Sequence, residues 1–204
     1  MKLQTALVCI LTSILTGFAL IKGSVQAQSP LAPEGTNGQS YNAAFPVAVT
    51  LDGDFSEWAN VPHMTVADGP QPPPDPSTDG SMTFASVADE TNLYFAIMVT
   101  DAHIIAGQHE DFYWNEDSVE LYLNASGDTS LTAYTPSVVQ ITIPAVNIGL
   151  PVDKTILAGI NWGAVNPRVV VVKTETGYAI EAAVSLHNAA WNIVPQQDGT
   201  LGFQ

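Results

Sequence analysis

The chain has 204 residues, 46% of them apolar, with a formal net charge of −15 and one cysteine. That length and apolar content suffice for one buried core and hence one domain, while the acidity excludes nucleic acid and anionic membrane surfaces as electrostatic partners. It suits neutral polymers and divalent cations, and it equally keeps an exported protein soluble with no ligand at all.

Met1-Lys2, an apolar run over 6–21 interrupted by Thr12, Ser13 and Thr16, and the small-residue site Val25-Gln26-Ala27 predict a secretory signal peptide over residues 1–27. The run is too short and too polar for a spanning helix. The expected destination is the extracellular space or the periplasm, with no membrane partner after cleavage. All twenty acidic residues lie beyond position 28, whereas Lys2 and Lys22 precede it, so the processed chain sets three basic residues against twenty acidic ones, a net −17. Cys9 lies within the same segment, which leaves the mature chain without disulfides or thiol chemistry. Residues 28–45, rich in Gly, Ser, Asn, Gln and Pro, predict a flexible lead-in. The folded domain is expected over 46–204.

Val47, Val49 and Leu51 alternate as a first strand, and Asp52-Gly53-Asp54 then turns the chain. Asp52, Asp54 and Glu57 gather three carboxylates within six residues, oxygen ligands suited to a hard cation such as calcium; aspartates also cap turns with no metal. Trp58, followed by Val61, reads as core. Five prolines between Pro70 and Pro76 make residues 68–80 a surface loop. Residues 82–87 and 93–100 alternate as strands joined by a turn at 89–92. Leu93, Phe95, Ile97 and Val99 form one face of the second strand and Tyr94, Ala96, Met98 and Thr100 the other. Both faces are apolar, as in a central strand between two layers. Asp101 ends it. His103 and His109, followed by Glu110-Asp111, offer transition-metal donors, but no His-x-x-x-His spacing or cysteine supports such a site.

Residues 114–123 read W-N-E-D-S-V-E-L-Y-L. Val119, Leu121 and Leu123 alternate with Glu120, Tyr122 and Asn124, which places Glu120 on the open face of a strand. Trp114, Glu116 and Asp117 stand just before it. An indole beside carboxylates suits sugars, whose CH faces stack on rings and whose hydroxyls bond to acids and amides. The plainer alternatives are that Trp114 plugs the end of the fold, that Glu120 is merely solvated, and that Asp117 orders a turn through backbone N–H groups. A polar turn over 126–130 leads to strands over 137–143, 156–160, 169–173 and 178–186, with a tight hairpin at 175–177. Residues 185–191 form the one candidate short helix. Trp162, borne on a loop, is the second candidate stacking residue, and Trp191 reads as structural.

The order W-x-x-D-S-V-E followed by an alternating strand resembles the signature of family 9 carbohydrate-binding modules, within the DOMON-like β-sandwiches. Leu51-Asp52-Gly53-Asp54, Glu57-Trp58, Asn92-Leu93-Tyr94, Val99-Thr100-Asp101, Gly177 to Ala183 and Gly199 to Phe203 fall in the same order. The resemblance implies an all-β fold, an antiparallel β-sandwich of jelly-roll or immunoglobulin-like form with at most one short helix. It implies a non-catalytic module that holds a polysaccharide or its chain end, of β-glucan or xylan type, within a glycoside-hydrolase system. Trp114, Glu120, Gln140 and Trp162 are then the ligand-binding candidates. Asp101, at a position near a structural calcium in related modules, joins Asp52 and Asp54 as a metal candidate. Thr142 stands where the family often carries an arginine that reaches the sugar, so the family's bidentate donor is missing. The family pattern continues past Leu201-Gly202-Phe203-Gln204 to an Asn-Asp turn and a later aromatic, so the expectation is a truncated product or a fragment whose fold lacks an edge strand or two at its C-terminal end.

Two other functions are open at this level. Glu116, Asp117 and Glu120 supply the carboxylates of a glycosidase, but they share one short segment instead of flanking a cleft. DOMON-like relatives that bind haem for electron transfer use Met and His or Lys, and Met98, His103 and His109 are near one another in sequence with nothing to fix them as axial ligands.

Overall fold

The structure, a computed structural model, describes residues 41–66, 80–128, 130–196 and 199–203. Residues 1–27, expected to be a signal peptide, and most of the expected lead-in lie outside these residues, as does the proline-rich segment 68–79.

Among the described residues eight strands form two antiparallel sheets. One contains β1 (Met64–Val66), β2 (Ser81–Ala88), β3 (Asn92–Thr100), β6 (Arg168–Lys173) and β7 (Gly177–Ser185) in the order β1-β2-β3-β7-β6. The other contains β4 (Ser118–Asn124), β5 (Val138–Pro144) and β8 (Gly202–Phe203) in the order β5-β4-β8. β3 is central, paired with β2 through Phe95↔Ser86 and with β7 through Phe95↔Ala182.

The main core lies between the sheets. Phe84, Phe95, Ile97, Val169, Val171, Tyr178 and Ile180 face Val119, Leu121, Leu123, Val139, Ile141 and Ile143, the side chains that the period-2 pattern of each strand turns inward. The larger sheet is also covered on its other face. There Ala85, Val87, Tyr94, Ala96 and Ala183 pack under Trp58, Val61 and the half-buried Val47, Val49, Leu51 and Phe55. Small alanines at the crossing of β2, β3 and β7 leave room for the indole of Trp58, which is 1% exposed. β7 is therefore buried along almost its whole length, while β4 alternates between buried and half-buried residues. That asymmetry leaves one face of the smaller sheet to solvent.

The cover is fastened by a buried acid. Glu181, on the outer side of β7 and fully buried, accepts the indole N–H of Trp58 at 3.0 Å and the backbone N–H groups of Gly53 and Asp52 at 2.8 and 3.1 Å. Burial pushes its carboxyl above the usual range, against the pull of those three donors.

Three local expectations change. Residues 47–51 do not form a strand: they run over the face of the larger sheet, touching its ladder through Val47 N to Ala88 O and Ala88 N to Ala44 O. Their alternation reflects burial against that face and not strand pairing. Residues 156–160 lie beside β5 through four backbone hydrogen bonds, between Thr142 and Ala158 and between Gln140 and Ile160, yet make only isolated bridges. Gly159 at φ +117° and Asn161 at φ +59° break the regular ladder there. Residues 185–191 are bends and not a helix. Asn188 Oδ1 accepts the N–H groups of Ala190 and Trp191, an arrangement that competes with helix formation. Among the described residues the helical content is five 3-10 turns of three or four residues.

Candidate functional site

The solvent side of the smaller sheet carries a joined set of polar side chains. Register places Glu120 opposite Thr142 and Tyr122 opposite Gln140. Because i and i+2 share a face, these four side chains meet there. Glu120 Oε1 accepts from Gln140 Nε2 at 2.9 Å and from Thr142 Oγ1 at 3.1 Å, and Oε2 accepts the hydroxyl of Tyr122 at 2.5 Å. Thr142 is buried, whereas Glu120, Tyr122 and Gln140 are half-buried. The connection from β4 to β5 brings in Tyr134, whose hydroxyl donates to Gln140 Oε1 at 3.1 Å while its ring stays 42% exposed. Asn161 ties this connection down, donating from Nδ2 to Thr135 O and Val138 O, both at 2.9 Å. Burial, the hydrogen bond to Glu120 and its charge, with Tyr134 adding to them, push the Tyr122 hydroxyl far above its ordinary range. Tyr122 is thus a fixed donor to Glu120.

A carboxylate can accept about four hydrogen bonds. Among the described residues three positions on Glu120 are filled from within the sheet; the one that remains is on Oε2, beside the Tyr122 hydroxyl, and Gln140 keeps a second N–H. A hydroxyl that both donates and accepts fits such a pair, and vicinal hydroxyls repeat the fit.

Glu120 and Gln140, paired as ligand candidates from sequence, are in direct contact. Trp162 begins a 3-10 turn over Trp162–Ala164 directly after Asn161, and its half-buried ring packs against the main core. Trp114 lies in the turn Tyr113–Asn115 immediately before β4; its side chain lies outside the described parts of the chain. Tyr122 shares its period-2 face with Glu120 and was visible in the sequence. Tyr134 sits in an aperiodic connection and gave no such signal.

The three acidic residues of the W-x-x-D-S-V-E segment separate into different tasks. Glu116 is buried and receives the backbone N–H of Gly107 at 2.6 Å together with those of Gln108 and His109, with His109 Nδ1 3.4 Å away. Burial alone would raise its carboxyl, but the backbone donors outweigh burial and hold it below the usual range. Asp117 Oδ2 accepts Ile105 N–H at 2.5 Å, and its own N–H donates to Ile105 O at 3.0 Å. Burial first, then the neighbouring Asp101 and Glu116, raise its carboxyl. Glu116 and Asp117 therefore pin residues 105–109 to the start of β4 and leave Glu120 as the acid on the open face.

The metal candidates are spread out. Asp52 Oδ1 accepts Asp54 N–H, Asp54 Oδ1 caps the turn Phe55–Trp58 through Ser56 N–H, and Asp101 Oδ1 accepts His103 N–H. Among the described residues no three His, Cys, Asp or Glu side chains gather into a metal-holding set. Asp101 has Asp117 as its neighbour, not Asp52 or Asp54.

Residues 51–204 match the family model described as carbohydrate family 9 binding domain-like. No curated protein matches the chain. Among solved structures, a carbohydrate binding module family 9 from Caldicellulosiruptor kristjanssonii in complex with cellotriose is similar with a TM-score of 0.58 and 16% identity, over 77% of this chain and 70% of that one. A structure of a carbohydrate binding module family 9 from the same organism in complex with glucose gives a TM-score of 0.56 and 17% identity, over 77% and 72%. At these identities the likeness is one of fold.

Proposed function

We propose, from the premise that this chain belongs to the carbohydrate family 9 binding domain-like family and is a carbohydrate-binding module, that it holds a saccharide on the open face of β4 and β5. The observation that carries this reading is Glu120, turned away from the core and oriented by Tyr122, Gln140 and Thr142, with one acceptor position left for a ligand hydroxyl. The similar modules are bound to cellotriose and glucose, which supports a β-glucan type of ligand, taken along the chain or at its end. Trp114, six residues before Glu120, is the candidate stacking ring. The haem alternative is not favoured, since the family match is to carbohydrate binding. The separation of Glu116 and Asp117 from Glu120 supports holding over hydrolysis within a glycoside-hydrolase system.

The residues also suit export and a structural calcium ion. Residues 1–27 have the order of a secretory signal, which directs the module outside the cytoplasm. Asp101 and Asp117 bring two carboxylates together, and the hydroxyl of Tyr178, a buried residue that feels both of their charges, has no hydrogen-bond partner among the described residues. A hard cation there would relieve the repulsion between the carboxylates. Asp52, Asp54, Asp101 and Asp117 each place one oxygen on a backbone N–H, and what favours Asp101 and Asp117 is the Tyr178 hydroxyl beside them, unpaired among the described residues.

The test is retention on insoluble cellulose and xylan with Trp114→Ala and Glu120→Ala. Both variants are expected to lose retention at a nearly unchanged melting temperature. Full retention by both removes the assignment.

A further inference from the structure

Every donor that Glu120 receives is neutral: two hydroxyls and one amide N–H. The chain has five basic residues, and none of the three that lie among the described residues is at this face. Lys2 and Lys22 belong to the front segment, Lys154 pairs with Asp153 at 3.3 Å, and Arg168 and Lys173 stand at the two ends of β6, the edge strand of the other sheet. Among the described residues Glu120 is therefore a half-buried carboxylate without a counter-charge, in a protein whose net charge is −15. A negative charge partly withdrawn from water and left uncompensated favours a ligand that brings the missing positive charge, and it disfavours one bearing a second negative charge.

The geometry points to a saccharide carrying an ammonium group, a 2-amino-2-deoxyhexose or its β-linked oligomer, as the preferred ligand class of this face. The ammonium donates to the open position on Glu120 as a charge-assisted bond. Its neighbouring hydroxyl meets the free N–H of Gln140. Uronic acid chains are excluded by the same field. This inference rests on the saccharide-binding assignment and adds the sign of the ligand's charge to it.

The experiment is calorimetric titration of the full chain with glucosamine trimer, its N-acetylated form, cellotriose and galacturonic acid trimer, at a pH where the free amine is protonated. At low salt the glucosamine trimer is expected to bind about fivefold tighter than cellotriose, the factor that one partly screened ion pair supplies. The advantage should disappear in about 1 M salt, where the screening length falls to about 3 Å. Acetylation should cancel it as well, and so should Glu120→Gln. The galacturonic acid trimer should not bind measurably. Equal affinity for glucosamine trimer and cellotriose, or a preference insensitive to salt, overturns the inference and leaves saccharide binding standing. Absence of binding by all four oligomers overturns the saccharide-binding assignment itself, and this inference with it. The salt series on the unsubstituted protein decides the matter even where Glu120→Gln disturbs the sheet.

Discussion

Gln140 donates its amide N–H to Glu120 diagonally across β4 and β5 at 2.9 Å, and the orientation of that amide is set from its other end. Tyr134 donates its hydroxyl to Gln140 Oε1 at 3.1 Å. With the carbonyl side occupied by a donor, the NH2 side faces Glu120 and presents its second N–H outward. An exposed tyrosine in a connection thereby controls the polarity of the site.

Tyr134→Phe keeps the ring and removes this control. Saccharide affinity is expected to fall about threefold to tenfold, the range of one neutral hydrogen bond, with little change in melting temperature. Combining it with Gln140→Ala should add little further loss, because the two act through one amide. Additive losses in titration calorimetry would show that Tyr134 acts independently.

Glu181 provides a pH test of the cover over the larger sheet. Its carboxyl is raised in the folded state, so between the unfolded value, about 4.3, and the higher folded value the native protein holds more protons than the unfolded chain. The contribution of this group to stability is fully present below the unfolded value and is lost as pH rises through the folded one. Glu181→Gln has no such titration. The melting temperature of the unsubstituted protein relative to Glu181→Gln is therefore expected to fall as pH rises from about 4 to about 7. Trp58→Phe, which removes one donor to the acid, is expected to cost about 1–3 kcal/mol in urea unfolding near neutral pH, where the carboxylate needs it most. A pH-independent difference would contradict the raised carboxyl.

Gly53 is the backbone contact of the same clamp. At φ +82° it delivers its N–H to Glu181, and a Cβ there would stand 2.6 Å from Val172 Cγ1. Gly53→Ala is expected to destabilise by about 1–3 kcal/mol, from a left-handed backbone and a clash at the edge strand. Saccharide affinity should be unchanged, since the larger sheet separates this turn from the open face. Denaturant unfolding alongside calorimetry separates the two effects.

Local patterning carried much of the fold. The two-faced apolar run of β3 marked a central strand, and the strict alternation from Val119 to Asn124 placed Glu120 outward. Residues 47–51 have the same period as a strand because an extended segment lying over a sheet also buries every second side chain. Period alone does not tell pairing from covering. The bond between Glu181 and Trp58 joins residues 123 positions apart, and nothing near either one announces it. Tyr134 reaches the site through the path of a connection, which its polar sequence does not encode. Glu116 was legible as part of an acidic cluster but not as a buried acid, because the three N–H groups that hold it come from backbone and leave no side-chain signature.

The most direct measurement is to map amide and side-chain NMR shifts while titrating a short β-linked glucose oligomer into the full chain. Perturbations are expected at Glu120, Tyr122, Tyr134, Gln140 and the turn carrying Trp114, with the outer face of the larger sheet silent. Shifts confined instead to the groove among Leu51, Pro151 and Val170, or no shifts at saturating oligomer, would contradict a saccharide site on the open face of β4 and β5.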